Sequence, residues 1–84
     1  LETTIINMRA YVLLRLRGGN ERAAVEFLRS VPYVKMADVV YGEYDVAFVA
    51  EVQSTRELTD LVHGDLRRRF DIERSSTLIA VEDS

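Results

Sequence analysis

The sequence predicts a single α+β domain of order β-α-β-β-α-β, a four-stranded antiparallel sheet with both helices on one face. Three observations carry the prediction. Hydrophobic residues alternate with period two in several separate stretches, two intervening stretches have the spacing of a buried helical stripe, and glycine- or proline-marked breaks separate them. The 84 residues form one domain, with its core over 8–81. A chain of this length buries roughly two thirds of its unfolded surface, so the core is real but thin.

Met8 to Arg17 alternates as a strand does: Ala10, Val12, Leu14 and Leu16 point one way, and Arg9, Tyr11, Leu13, Arg15 and Arg17 the other. Gly18-Gly19-Asn20 breaks it, with Asn20 placed to cap a helix whose first turn carries Glu21 at the positive end of the dipole. Ala24, Phe27, Leu28 and Val31 form the apolar stripe of that helix, and Pro32 disfavours helical geometry at Val31, where the helix stops. Val34 to Tyr41 and Val46 to Val52 are β-branched, aromatic or small and flank Gly42-Glu43-Tyr44-Asp45, which reads as an antiparallel hairpin. Ser54 and Glu57 have capping-box spacing ahead of Leu58, Leu61, Val62 and Leu66, a second helix that ends on the cations Arg67, Arg68 and Arg69. Ser76 to Val81 is the last strand. The order is that of the split βαβ, or ferredoxin-like, topology; without cysteine there is no iron–sulfur cluster, and the name describes topology alone.

Two helices cover one side of such a sheet, and in a monomer the other side is expected to be polar. Here it carries Tyr11 and Leu13 from the first strand, Ala47 and Val49 from the third and, by alternation, Thr77, Ile79 and Val81 from the last. We expect a second copy to cover this face, sheet against sheet about a two-fold axis, as in dimeric α+β barrels. Tyr11, Leu13, Ala47, Val49, Ile79 and Val81 are then interface residues. Scattered surface hydrophobes are the plainer alternative and need no partner.

Eleven Lys plus Arg against fourteen Asp plus Glu give a net charge of −3, which argues against direct binding to nucleic acid. No apolar run approaches the roughly 18 to 20 residues that cross a bilayer, and Leu1-Glu2-Thr3-Thr4 lacks the basic start of a signal peptide, so no membrane partner is expected. The absence of cysteine rules out a disulfide, a thiolate metal site and a cysteine nucleophile. His63 is the one histidine and lies mid-helix beside Gly64, with no second ligand at metal spacing, so neither a metal, a cofactor nor a catalytic site is expected. Gly18-Gly19 lacks the rest of a dinucleotide fingerprint, and there is no P-loop or G-x-S-x-G elbow. Glu43 and Asp45 read as turn carboxylates rather than an acid/base pair.

The stretch Tyr41-Gly42-Glu43-Tyr44-Asp45-Val46, the alternating strand after it, and Ser75-Ser76-Thr77 resemble the C-terminal effector domain of the Lrp/AsnC (feast/famine) transcription regulators, also called the RAM domain. In that family the hairpin is close to Thr-Gly-x-Tyr-Asp; Gly42, Tyr44, Asp45 and Thr77 fit, as do Pro32 and Val34, whereas Tyr41 stands where Thr is common. The resemblance spans about Met8 to Val81. It implies a non-catalytic, cytoplasmic module of transcription regulation that senses an amino acid and oligomerises. Dimers form through the sheets and assemble further, into an octamer or another ring, with a full-length regulator as a further partner. An effector bound between subunits would meet Tyr41, Gly42, Glu43, Tyr44, Asp45, Ser75, Ser76 and Thr77. Gly42 would let the backbone approach it, Asp45 would sit near its ammonium group, and Ser75 and Thr77 would offer hydroxyls. A turn reading gives the same residues other work, with Gly42 and Asp45 shaping a tight turn and Asp45 capping backbone amides. The helix-turn-helix of full-length members is not expected here, since Leu1 to Asn7 are too few to form one.

Small dimeric α+β-barrel monooxygenases and haem-binding enzymes share the topology and also pair their sheets. They rely on an organised His, Asn or Trp in the cleft, and this chain has no Trp and a lone His63. A pure assembly module with an empty pocket is the third alternative.

Overall fold

The alternation that begins at Met8 places β1 (Met8–Leu16) in the interior of the sheet. The computed structural model, which describes residues 7–81, arranges β1 with β2 (Val34–Val39), β3 (Val46–Val52) and β4 (Ile72–Ile79) in the order β2-β3-β1-β4. All three pairings are antiparallel. Two helices pack on one face: α1 (Glu21–Arg29), and α2, which is continuous through the segments Thr55–Thr59, Asp60–Leu66 and Arg67–Arg69. This is the ferredoxin-like fold that the hydrophobic pattern predicts.

The core lies between sheet and helices. Ala10, Val12 and Leu14 of β1 and Val46, Phe48, Ala50 and Val52 of β3 meet Ala24, Val25 and Leu28 of α1 and Leu58, Leu61, Val62 and Leu66 of α2. Phe48, on β3 beside β1, is the largest fully buried side chain, and burial of one such ring is worth about 1.5–3 kcal/mol. A second packing layer closes the open end of the helices, where Phe27 tilts against Phe70 at 6.5 Å and the Arg69 guanidinium lies 4.2 Å from the Phe27 ring centroid.

The helix starts differ in detail from expectation. Asn20 stands at the cap position of α1 and its carbonyl accepts from the Ala24 N–H, but its side chain makes no capping bond. At α2 only half of the capping box forms, displaced by one residue: Glu57 accepts from the N–H of Gln53 at 2.9 Å, and Ser54 makes no side-chain cap. The middle segment of α2 is π-helical.

Two strand boundaries also shift. β2 ends at Val39 rather than Tyr41, and β4 starts at Ile72 rather than Ser76 and ends at Ile79. A register shift between Arg15 and Leu16 lets β4 begin early, by setting Ile72 opposite Leu16.

That register corrects the assignment of faces on β4. Directly opposed residues share a side of the sheet. Ile79 lies opposite Ala10 and Thr77 opposite Val12, which puts both on the helix-bearing side, whereas Leu78 lies opposite Tyr11 on the open side. Val81 follows β4, outside the paired residues, and is exposed. The apolar part of the open face among the described residues is therefore Tyr11, Leu13, Met36, Ala47, Val49 and Leu78, with Tyr11, Met36 and Leu78 exposed by 40%, 58% and 56%.

One edge of the sheet is clamped. Arg29, at the end of α1, reaches β2, where its Nε donates to the Ala37 carbonyl at 3.0 Å and its Nη2 lies 3.4 Å from the Asp38 carboxylate.

Candidate functional site

The β2–β3 hairpin is closed by the Val40 N–H donating to the Asp45 carbonyl at 2.9 Å. Gly42 has φ +144°, a region that side chains with a β-carbon rarely enter, and a β-carbon built there meets nothing within 4 Å. The turn therefore demands glycine for its backbone conformation and not for lack of space.

Asp45 ties the hairpin to the middle of the sheet. Its N–H donates to the Leu14 carbonyl at 2.8 Å, and its Oδ2 accepts from the Leu16 N–H at 2.8 Å. The β1–β3 pairing ends with Leu14 opposite Val46, so the carboxylate extends the ladder by one bond that a side chain supplies. The other oxygen, Oδ1, lies 3.9 Å from Nη1 of Arg15. That same Nη1 donates to the carbonyls of Gly42 at 3.3 Å and Glu43 at 2.9 Å, so one guanidinium holds both the crown of the turn and its far end.

Arg15 stands directly opposite Arg74 of β4. Like charges in that position repel, and here each cation turns to a different part of the hairpin. Arg15 takes the backbone carbonyls, while the Arg74 guanidinium lies 5.2 Å from the centroid of the Tyr44 ring.

The residues expected to form one effector site divide between the two sides of the sheet. Gly42, Glu43, Tyr44 and Asp45 gather around Arg15 and Arg74, and Ser76, opposite Leu13, lies on this open side. Tyr41 is fully exposed at the tip. Ser75 and Thr77 lie opposite Leu14 and Val12, on the helix-bearing side. There Thr77 lines a shallow cavity of about 190 Å³ with Thr55, Thr59, Val62, His63 and Ile79. Arg15 and Arg74 are the members that sequence reasoning missed. Alternation puts Arg15 on the open face, but nothing local to either arginine reveals the other as its cross-strand neighbour.

The centre of the open face is apolar, with Asp38 opposite Ala47 and the pair Arg9 and Glu51 at its margins. A hollow of about 100 Å³ between Tyr11, Leu13, Met36, Asp38, Ala47 and Val49 interrupts it. Among the described residues no group of three or more His, Cys, Asp or Glu side chains gathers as a metal site, and no helix is long and apolar enough to cross a membrane.

Residues 9–83 match the family model described as the Lrp/AsnC ligand binding domain. Among solved structures, FFRP-DM1 is 35% identical with a TM-score of 0.77, over 88% of this chain and 99% of its own. TTHA0845 from Thermus thermophilus is 30% identical with a TM-score of 0.81, over 92% of this chain and 96% of its own. Two longer proteins share the fold at lower identity. Escherichia coli AsnC is 18% identical, with a TM-score of 0.77 over 90% of this chain and 52% of its own. The transcriptional regulator NMB0573 of Neisseria meningitidis, in complex with L-Met, is 16% identical, with a TM-score of 0.72 over 90% of this chain and 51% of its own. This chain thus spans about half the length of these two. No curated relative matches. The ferredoxin-like sheet, the glycine turn latched to β1 and a family match over nearly the whole described chain agree: this protein belongs to the Lrp/AsnC ligand-binding domain family.

Proposed function

We propose that the domain is a non-catalytic sensor that binds an amino acid where subunits meet and assembles through the open face of its sheet. The observation that carries this reading is the pairing of two features on one side of the molecule. An apolar surface of Tyr11, Leu13, Met36, Ala47, Val49 and Leu78 lies on the same side as a hairpin whose backbone is held from β1. A contiguous apolar sheet face that includes exposed Tyr11, Met36 and Leu78 is the kind of surface that marks an interaction site. A second copy related by a two-fold axis is its simplest cover, with Leu78 taking the place expected of Ile79. Assembly of such dimers into rings would bring the exposed hairpins, with Tyr41 at their tips, to further subunit contacts.

The L-Met complex of NMB0573 supports an amino acid as the ligand class. A polar turn flanked by guanidinium groups suits that class, because an amino acid needs donors for its carboxylate. The domain would act as a regulatory module, alone or with a full-length regulator of the same family.

Calorimetric titration with the twenty amino acids at millimolar concentration tests the sensing. Heat of binding for one or a few is expected, and silence with all twenty, together with unchanged thermal midpoints, would overturn it. Light scattering tests the assembly separately. A dimer or a multiple of it is expected at micromolar protein, and a strictly monomeric mass would refute it.

A further inference from the structure

We propose that Arg74 is the group that receives the carboxylate of the bound effector, an inference that rests on the reading of this hairpin as the effector site.

Four arginines of the described residues have a carboxylate partner: Arg15 with Asp45, Arg17 with Asp71, Arg29 with Asp38 and Arg68 with Asp65. Arg74 has no ion pair among the described residues, and it stands at a position where one is wanted, since its cross-strand neighbour is another arginine. Glu43 is exposed in the same turn and bridges to neither cation; only its backbone carbonyl is used, by Arg15. Arg15 is tied to the turn through Nη1, which donates to two carbonyls and lies 3.9 Å from the Asp45 carboxylate, whereas Arg74 has no carboxylate beside it among the described residues, so an incoming anion meets a less neutralised cation at Arg74.

The placement of Arg74 suits a planar anion. Its guanidinium lies over the Tyr44 ring, 5.2 Å from the centroid, and a contact of this kind holds the group while its N–H edges stay free for a bidentate bond. Ser76 is two residues along the same strand and on the same side, where its hydroxyl can add a donor. A carboxylate bound there would also offset the repulsion between Arg15 and Arg74. Asp45, by contrast, spends one oxygen on the Leu16 N–H and turns the other toward Arg15, which makes it a brace of the turn.

The test is calorimetry on the full chain in three forms: wild type, Arg74→Gln and Arg74→Lys. The probe is the tightest binder among the twenty amino acids, and the same amino acid as its carboxamide. Arg74→Gln is expected to weaken the acid by about tenfold or more, the usual worth of a hydrogen bond to a charged group. Arg74→Lys should keep part of the affinity, since it retains the charge and loses the fork. Wild type should prefer the acid over its carboxamide by a similar factor, and Arg74→Gln should abolish that preference. Equal affinity of wild type and Arg74→Gln for the acid would overturn the assignment while leaving the effector reading intact. Equal affinity of wild type for acid and carboxamide would do the same, and this comparison stands even where the variant folds poorly. A wild type that binds none of the twenty would remove the effector reading and the role of Arg74 with it.

Discussion

Replacing Asp45 by alanine tests whether the hairpin is built on the sheet through that side chain. The substitution deletes the acceptor of the Leu16 N–H, a 2.8 Å bond, and the negative charge 3.9 Å from Arg15. A hydrogen bond to a charged group is worth about 1.5–3 kcal/mol, and the partial exposure of Asp45 lets water rescue some of the loss, so a cost of about 2 kcal/mol is expected. For a domain of this size each kcal/mol moves the melting midpoint by about 4–8 °C, so the variant should melt roughly 10 °C lower. Asp45→Asn keeps an oxygen that can accept from Leu16 and loses only the charge, so it should cost about half as much. Urea unfolding followed by circular dichroism measures both, at one protomer concentration because subunit association shifts the midpoint. The slope of stability on denaturant should not change, since no core surface is altered. An Asp45→Ala variant within ~0.5 kcal/mol of wild type would refute the brace and return the carboxylate to ligand duty alone.

Three further outcomes follow from the same geometry. Phe48→Ala empties the centre of the core and should cost about 3–5 kcal/mol by denaturant titration, enough to leave much of so small a domain unfolded. Val49→Glu places a charge in the middle of the open apolar face, between Tyr11 and Met36, and should lower the mass seen by light scattering while circular dichroism stays native. Burial, and after it the carboxylates Glu57, Asp65 and Asp60 on α2, pushes the Tyr33 phenol above its ordinary 10.0. The folded state then holds that proton more tightly than the unfolded chain, so stability is untouched below the ordinary value and falls as pH rises through it toward the raised one. Tyr33→Phe should remove this alkaline loss, as read from thermal midpoints taken across that range.

The element order, both helices and the central strands were legible because each writes its own period. Ala10, Val12, Leu14 and Leu16 alternate without interruption, and Val46 to Val52 does the same against the same helices. β4 was not legible in this way. Its opening residues Glu73, Arg74, Ser75 and Ser76 carry no hydrophobic signal, and Leu78 and Ile79 are adjacent, so alternation gives no reason to choose which of them faces the helices. Only pairing with β1 decides it, and a slip of one residue reverses the answer, which is how Ile79 came to be expected on the open face. The same limit hid the site. Gly42, Tyr44 and Asp45 are contiguous and carry a turn motif, whereas Arg15 and Arg74 are 59 positions apart (74 − 15 = 59) and become neighbours only through the register. The π winding of α2 likewise has no sequence period of its own, because Leu58, Leu61, Val62 and Leu66 also satisfy an ordinary helical stripe.

The clamp that Arg29 places on β2 bears on how large anything built from this chain can grow. A sheet with two bare edges is a monomer unit for an endless ribbon, each copy extending the last. Here a new strand arriving beside β2 must first evict a guanidinium from the Ala37 carbonyl and from Asp38, so at that point of the edge its backbone bond only replaces interactions already made. With β2 guarded, sheet-to-sheet propagation has only β4 to use, and a copy that joins there presents its own guarded strand to the outside. Such growth terminates after one step, which favours closed particles of fixed number over fibres.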